Sequence, residues 1–79
     1  MFKHNIIIIE FKALYQILFE INNYLKFNLN KINLNEINNI DFKGSIILSK
    51  FIYKDELIIK KKIDPNQIIF FLESNEFIQ

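Results

Sequence analysis

The chain has 79 residues and a formal net charge of +1, and 51 % of its residues are hydrophobic. This length predicts a single domain over residues 1–79, and the balanced charge gives no electrostatic argument for a nucleic-acid partner. The absence of cysteine excludes disulfides and thiolate metal sites, and the sequence predicts no cofactor. No apolar run approaches the roughly 20 residues of a membrane span, and no signal-peptide pattern is present, so we expect a cytoplasmic protein without a membrane partner.

The first element is a strand that leads into a helix. Residues 6–9 are four consecutive isoleucines, and a short β-branched run is typical of a strand buried on both faces. From residue 11 to 25 the apolar side chains recur at three- and four-residue spacing and form one stripe of a helix, which can cover the strand: Phe11, Leu14, Leu18, Ile21 and Leu25.

The middle of the chain contains two further strands and a short helix. Residues 27–34 alternate imperfectly between apolar and polar, which indicates a half-exposed strand. Asn33 or Asn35 could cap a short helix that ends near Asn39. Gly44 is the only glycine and suits a turn with positive φ, and residues 45–48 form the second buried strand.

Residues 51–63 have two interpretations. Apolar residues on one side and lysines on the other favour a helix. The alternative is a strand over residues 56–63 that forms a hairpin with residues 68–72 through a turn at Pro65. The helix is preferred because the three consecutive lysines at residues 60–62 do not alternate with apolar residues.

Together these elements predict a small three-layer α/β fold with a mostly parallel sheet of about four strands. A C-terminal β-hairpin would instead make the fold α+β. The order strand, helix, edge strand, short helix, strand, helix, strand resembles the receiver domain of response regulators, a flavodoxin-like fold. The resemblance is one of layout, and it implies the strand order 2-1-3-4.

The receiver resemblance also locates a candidate pocket at the carboxyl ends of the strands. Receivers carry an acidic pair after the first strand and a phosphate-accepting aspartate after the third. Here Glu10 is followed by Phe11, and the third strand ends at Ser49 and Lys50, neither of which offers a carboxylate. The resemblance therefore implies a degenerate, non-phosphorylatable pocket formed by Glu10, Ser49 and Lys50. Independently of the resemblance, Glu10 could also be a simple helix-start acid.

Other candidate residues carry weaker signals. Lys60, Lys61 and Lys62 could contact phosphates of a nucleic acid, although a solvated helix face or turn is the preferred explanation for them. His4 is the only histidine and precedes the first strand. An enzyme built on His4, Glu10 and Ser49 would need these side chains within hydrogen-bond reach of one another. The sequence predicts no catalytic or metal site, and we expect the protein not to be an enzyme.

The apolar composition points to protein–protein interaction. So small a domain has little interior, and surplus apolar side chains tend to form surface patches. Tyr15, Phe19 and Tyr24 widen the apolar stripe of the first helix and are the candidate interface, with core packing as the alternative. The sequence-based hypothesis is a non-catalytic interaction or dimerisation module in signalling or regulation, acting as a homodimer or with a protein partner. A small nucleic-acid-associated protein is the alternative.

Overall fold

A computed structural model describes residues 4–61 and 66–73 of the chain. Its elements, in chain order, are β1 (Asn5–Ile9), α1 (Lys12–Leu25), β2 (Asn28–Ile32), the 3-10 helix η1 (Leu34–Asn39), β3 (Ser45–Lys50), the 3-10 turn η2 (Phe51–Tyr53), α2 (Lys54–Lys61) and β4 (Ile69–Leu72).

The four strands form one parallel sheet in the order β2-β1-β3-β4. This confirms the α/β class and the strand order predicted from the sequence. The alternative with a C-terminal hairpin is wrong, because β4 runs parallel to β3 and the segment before it is helical. The physical reason is that Leu57 of α2 packs into the core on the side of the sheet away from α1, where a strand would leave that face uncovered.

Strand β1 lies in the centre and is buried on both faces, as its four isoleucines predict. Ile6 and Ile8 point to one side of the sheet, where they pack with Phe11 below α1. Ile7 and Ile9 point to the other side and pack under η1 and α2. Because successive side chains of a strand alternate, one short run supplies the core of both outer layers, and the result is the expected three-layer arrangement.

The two outer layers differ in how they cover the sheet. The layer of η1 and α2 contributes fully or nearly fully buried residues, Ile37 and Leu57, and Asn33 precedes η1 as expected, its N–H donating to Glu36 Oε1 at 2.8 Å. The other layer consists of α1 alone among the described residues, and no residue of α1 itself is buried. Leu14 and Leu18 are only half-buried on β1. The α1 side of the sheet is therefore the thinly covered side.

Helix α1 ends in a left-handed residue and a side-chain clamp. Lys26 has φ of +57°, and its N–H donates to Asn22 O at 2.8 Å. The Asn22 side chain then binds the backbone of Phe27 twice, donating to its carbonyl and accepting from its N–H, each at 2.8 Å. These hydrogen bonds end α1, and β2 begins two residues after Lys26.

The buried isoleucine of β3 provides a test of the core. Ile47 is completely buried, whereas Ile59 on the outer side of α2 is 69 % exposed. We expect Ile47→Ala to lower the free energy of unfolding by about 2 to 5 kcal/mol, because it leaves a cavity under α2. The control Ile59→Ala should change it by less than about 0.5 kcal/mol. Urea denaturation followed by circular dichroism measures both, and equal effects would contradict this core.

The left-handed end of α1 provides a second test. Lys26→Gly removes the Cβ that disfavours positive φ, so we expect the free energy of unfolding to rise by about 1 kcal/mol. The same change at Gln16, in the exposed middle of α1, should lower it by about 1 kcal/mol. Thermal unfolding distinguishes the two, and destabilisation by Lys26→Gly would show that α1 ends elsewhere.

Candidate functional site

Glu10, the candidate acid of the degenerate pocket, has a structural partner. It follows β1 in a left-handed conformation with φ of +49°, and its Oε1 accepts a hydrogen bond of 3.0 Å from Leu34 N, the first residue of η1. The expectation that Glu10 starts α1 needs correction, because Phe11 occupies the N-cap position and no acidic residue lies in the first turn of α1. The carboxylate caps the neighbouring 3-10 helix instead, since the left-handed backbone turns it toward β2.

Ser49 and Lys50 do not converge with Glu10. The side chain of Ser49 is fully buried on the α2 side of the sheet, and its Oγ donates to Lys50 O at 3.3 Å. Lys50 points to the other side, where its Nζ lies 5.4 Å from the centre of the Phe11 ring. The three residues therefore share the carboxyl-terminal edge of the sheet, while their side chains leave it in different directions.

An open cleft of about 600 Å³ lies beside Glu10, between η1 and α2. Its lining carries two carboxylates and three asparagines: Glu10, Asn33, Leu34, Asn35, Ile37, Asn38 and Glu56. Neither Ser49 nor Lys50 is part of it. Within residues 4–61 and 66–73, no group of three or more His, Cys, Asp or Glu side chains is placed to hold a metal ion.

His4 lies at the opposite end of the sheet from this cleft. Its ring meets the edge of Phe27 at a centroid distance of 5.8 Å, and it precedes the first residue of β1. Ser49 pairs with Ile9, which lies five residues after His4 along the chain. This spacing in a strand separates His4 from Ser49 by about 16 Å. That separation rules out an active site that combines His4 with Ser49.

The aromatic residues of α1 are divided between two sides of the helix. Tyr15 and Phe19 contact each other at a centroid distance of 5.9 Å, and Lys31 Nζ of β2 lies 5.2 Å from the Tyr15 ring centre. Tyr24 is 87 % exposed, but five residues after Phe19 it lies about 140° further round the helix. The structure thus brings Tyr15 and Phe19 together beside β2, and does not bring Tyr24 to them.

Two of the three candidate nucleic-acid lysines end helix α2. Lys60 and Lys61 are its last two residues, and Lys62 lies outside the described residues. Contact with nucleic acid through Lys60, Lys61 and Lys62 stays a prediction.

Strand β4 has exposed apolar side chains on the same face of the sheet as α1. Phe70 is 53 % exposed, and it pairs with Leu48, whose side chain packs on the α1 side. Leu72 and Ile68 point the same way by strand alternation and are 36 % and 54 % exposed. Helix α1 stops short of these residues, because its Tyr15 flank is turned to β2.

The opposite side of the same edge is also apolar. Ile58 of α2 is 47 % exposed and follows Leu57, which is completely buried. Glu56, on the other flank of α2, lines the cleft toward η1, so helical geometry turns Ile58 away from η1 and toward β4. We call Ile58, Ile68, Phe70 and Leu72 the β4 rim.

The two edges of the sheet have opposite character. Edge strand β2 reads Asn-Leu-Asn-Lys-Ile and carries exposed polar side chains, including Lys31. Edge strand β4 reads Ile-Phe-Phe-Leu and has neither a charge nor a proline. Charged residues on an edge strand discourage pairing with another chain, and an apolar edge strand favours it.

The β4 rim was not among the candidates predicted from the sequence. A signal for it exists, because the run over residues 68–72 is apolar on both faces and therefore needs a covering layer on each. The sequence does not tell where α1 lies across the sheet, so it does not indicate which strand this helix leaves uncovered.

Comparison of the chain with models of known protein families, with curated proteins and with solved structures finds no match. None of the helices in the described part of the chain is long and apolar enough to cross a membrane. The function is therefore inferred from the residues of this chain alone.

Two substitutions test the structural role of Glu10. Glu10→Ala removes the acceptor for Leu34 N and keeps a Cβ at positive φ, so we expect a loss of about 1 to 2 kcal/mol in the free energy of unfolding. Glu10→Gly removes the same acceptor but relieves the backbone, and should be about 1 kcal/mol more stable than Glu10→Ala. Urea denaturation compares them, and an alanine variant that is the more stable would contradict the left-handed conformation.

Proposed function

We propose that this chain is a non-catalytic protein-interaction module, a degenerate receiver-like domain that acts in signalling or regulation. The observation that carries the proposal is the β4 rim: Ile68, Phe70 and Leu72 are exposed on one face of an uncharged edge strand, and Ile58 is exposed on α2, the helix of the other face. Such an edge binds a protein surface, because burial of its side chains removes apolar area from water and because, among the described residues, no second strand pairs with its outward backbone groups.

The size of the rim supports an interaction role. A fully exposed aliphatic side chain offers about 100 Å² and a phenylalanine about 200 Å². With a third to a half of each side chain exposed, and with Ile17 and Ile21 on the adjacent flank of α1, the patch amounts to on the order of 300 Å². Apolar patches of this size on small proteins are often binding sites.

The carboxyl-terminal edge of the sheet supports a role without catalysis. The Glu10 carboxylate is engaged with Leu34 N, and the Ser49 hydroxyl is buried and bound to Lys50 O. In the proposed receiver-like layout, Ser49 and Lys50 end the third strand, where a receiver would have its phosphate-accepting aspartate. A hydroxyl in that position cannot form an acyl phosphate, so the proposed module relies on its surface and not on phosphorylation.

The β4 rim is a better binding surface than the aromatic residues of α1. Tyr15 is half-buried against β1 and β2 and is covered by Lys31, so little of it remains for a partner. Phe19 and Tyr24 are exposed on different sides of α1 and do not form one patch. The rim, by contrast, is continuous with the outer edge of β4, which within residues 4–61 and 66–73 pairs with no further strand.

Site-specific photo-crosslinking tests the proposed function. A benzophenone amino acid in place of Phe70 should form adducts of defined mass in cells that make the protein, because position 70 lies in the binding surface. The matched control carries the same amino acid in place of Gln16, on the polar outer side of α1. We expect a yield several-fold higher from position 70, and a further Leu72→Lys change should remove that difference. Equal yields from both positions, or adducts from neither, would count against an interaction role for the rim.

A further inference from the structure

We propose that the partner of the β4 rim is a second copy of this chain, joined edge to edge so that the two β4 strands pair antiparallel in one eight-stranded sheet. This inference rests on the proposed function and specifies its partner. It follows from three features of β4: the direction of its backbone groups, the side chains on its two faces, and its charge.

The backbone of β4 offers alternate residues to a second strand. Ile47 N donates to Ile68 O at 3.0 Å, and Ile47 pairs with Ile69 in the parallel register. In a parallel ladder this arrangement turns the N–H and C=O of Ile68 and Phe70 toward β3, and those of Ile69 and Phe71 away from it. A two-fold axis through Phe70 then places Ile69 opposite Phe71 of the second copy, and Phe71 opposite its Ile69. Each of these two pairs exchanges two hydrogen bonds, so the four outward groups of each strand are satisfied.

The same axis joins the exposed side chains of the rim. Phe70 meets Phe70 of the second copy in a non-hydrogen-bonded pair, in which side chains are closest, on the side of the sheet that α1 leaves open. On the other side, the Ile58 flanks of the two α2 helices face one another across the joined edges. Apolar surface on both faces of the sheet is thus buried by a single contact.

The charges near β4 are compatible with self-pairing. No charged residue lies within Ile69–Leu72, so the two-fold arrangement brings no like charges together in the strand itself. Glu73 falls opposite Gln67 of the second copy and not opposite its own counterpart. In the same arrangement the β2 edge, with Lys31 and two exposed asparagines, would lose the hydration of its polar side chains.

A second copy stacked on the face of α1 fits less well. The outer side of α1 carries Gln16, Glu20 and Asn23, all exposed, so a dimer formed there would bury these polar groups together with the exposed apolar side chains of the helix and would leave the backbone edge of β4 unpaired by a second copy. Edge pairing leaves these residues in water.

The edge-to-edge contact between two β4 strands is small compared with the roughly 800 Å² per partner of a standard interface, so we expect reversible dimers with a Kd on the order of micromolar.

Sedimentation velocity on the full chain over a dilution series tests the assembly. The wild type should shift from monomer to dimer as the concentration rises through the micromolar range. Phe70→Lys places two like charges opposite each other and should raise Kd about tenfold or more. The control Ile59→Lys, on the outer side of α2, should leave Kd unchanged, and circular dichroism checks that both variants are folded.

Cysteine cross-linking tests the register, because the natural chain contains no cysteine. Phe70→Cys should form an interchain disulfide on mild oxidation, since non-hydrogen-bonded antiparallel pairs have Cα atoms about 4.5 Å apart. Leu72→Cys should not, because the axis places it four residues from its own counterpart, about 13 Å away. Equal cross-linking at both positions would overturn the register.

The outcomes separate this inference from the proposed function. A wild-type chain that stays monomeric at several hundred micromolar overturns the homodimer. If position 70 then still forms adducts with a different protein, the interaction function stands and only the identity of the partner is wrong. A monomer without any adduct at position 70 overturns both.

Discussion

The two-sided burial of β1 is the constraint on which the rest of the structure depends. Four isoleucines in succession place two branched side chains on each face of the sheet, and all four are buried. Because both faces are apolar, the chain must supply a layer on each, and short crossovers between parallel strands supply helices. Helix α1 therefore covers one face, and η1 with α2 covers the other.

The two layers are not equally complete, and this difference creates the candidate site. On one face η1 and α2 follow different crossovers and together span the sheet from β2 to β4. On the other face α1 is the one covering element in the described part of the chain, and it packs on β1 and β2, which leaves the exposed side chains of β4 beside it. Of the described strands the same one is also outermost, so its exposed side chains and its outward backbone groups lie in the same region. An apolar edge of this kind is a hazard in a monomer and an advantage in an assembly.

At the carboxyl-terminal edge of the sheet, where open α/β folds usually bind ligands, Glu10 and Ser49 make contacts within the fold. Glu10 links the end of β1 to the start of η1 across β2, and its left-handed backbone is what turns the carboxylate in that direction. Ser49 lies in the core, and Lys50 packs over an aromatic ring on the other side. Residues at the same edge of the sheet thus have backbones that lie near one another, yet their side chains contact separate parts of the fold.

The sequence by itself determined the order of the elements and the class of the fold. The isoleucine run of β1, the apolar stripe of α1 and the asparagine before η1 are local signals, because alternation, helical periodicity and capping act over a few residues. The parallel order 2-1-3-4 is what the resemblance of this layout to receiver domains implies, and the structure confirms it.

Only the tertiary structure decided the position of α1 across the sheet and the direction of the side chains at the strand ends. Both depend on packing between segments far apart in the chain, such as Lys31 against Tyr15 and Leu34 against Glu10. No local pattern encodes these contacts. For the same reason the sequence pointed to Tyr15, Phe19 and Tyr24 on α1 and did not indicate the exposed side chains of Phe70 and its neighbours.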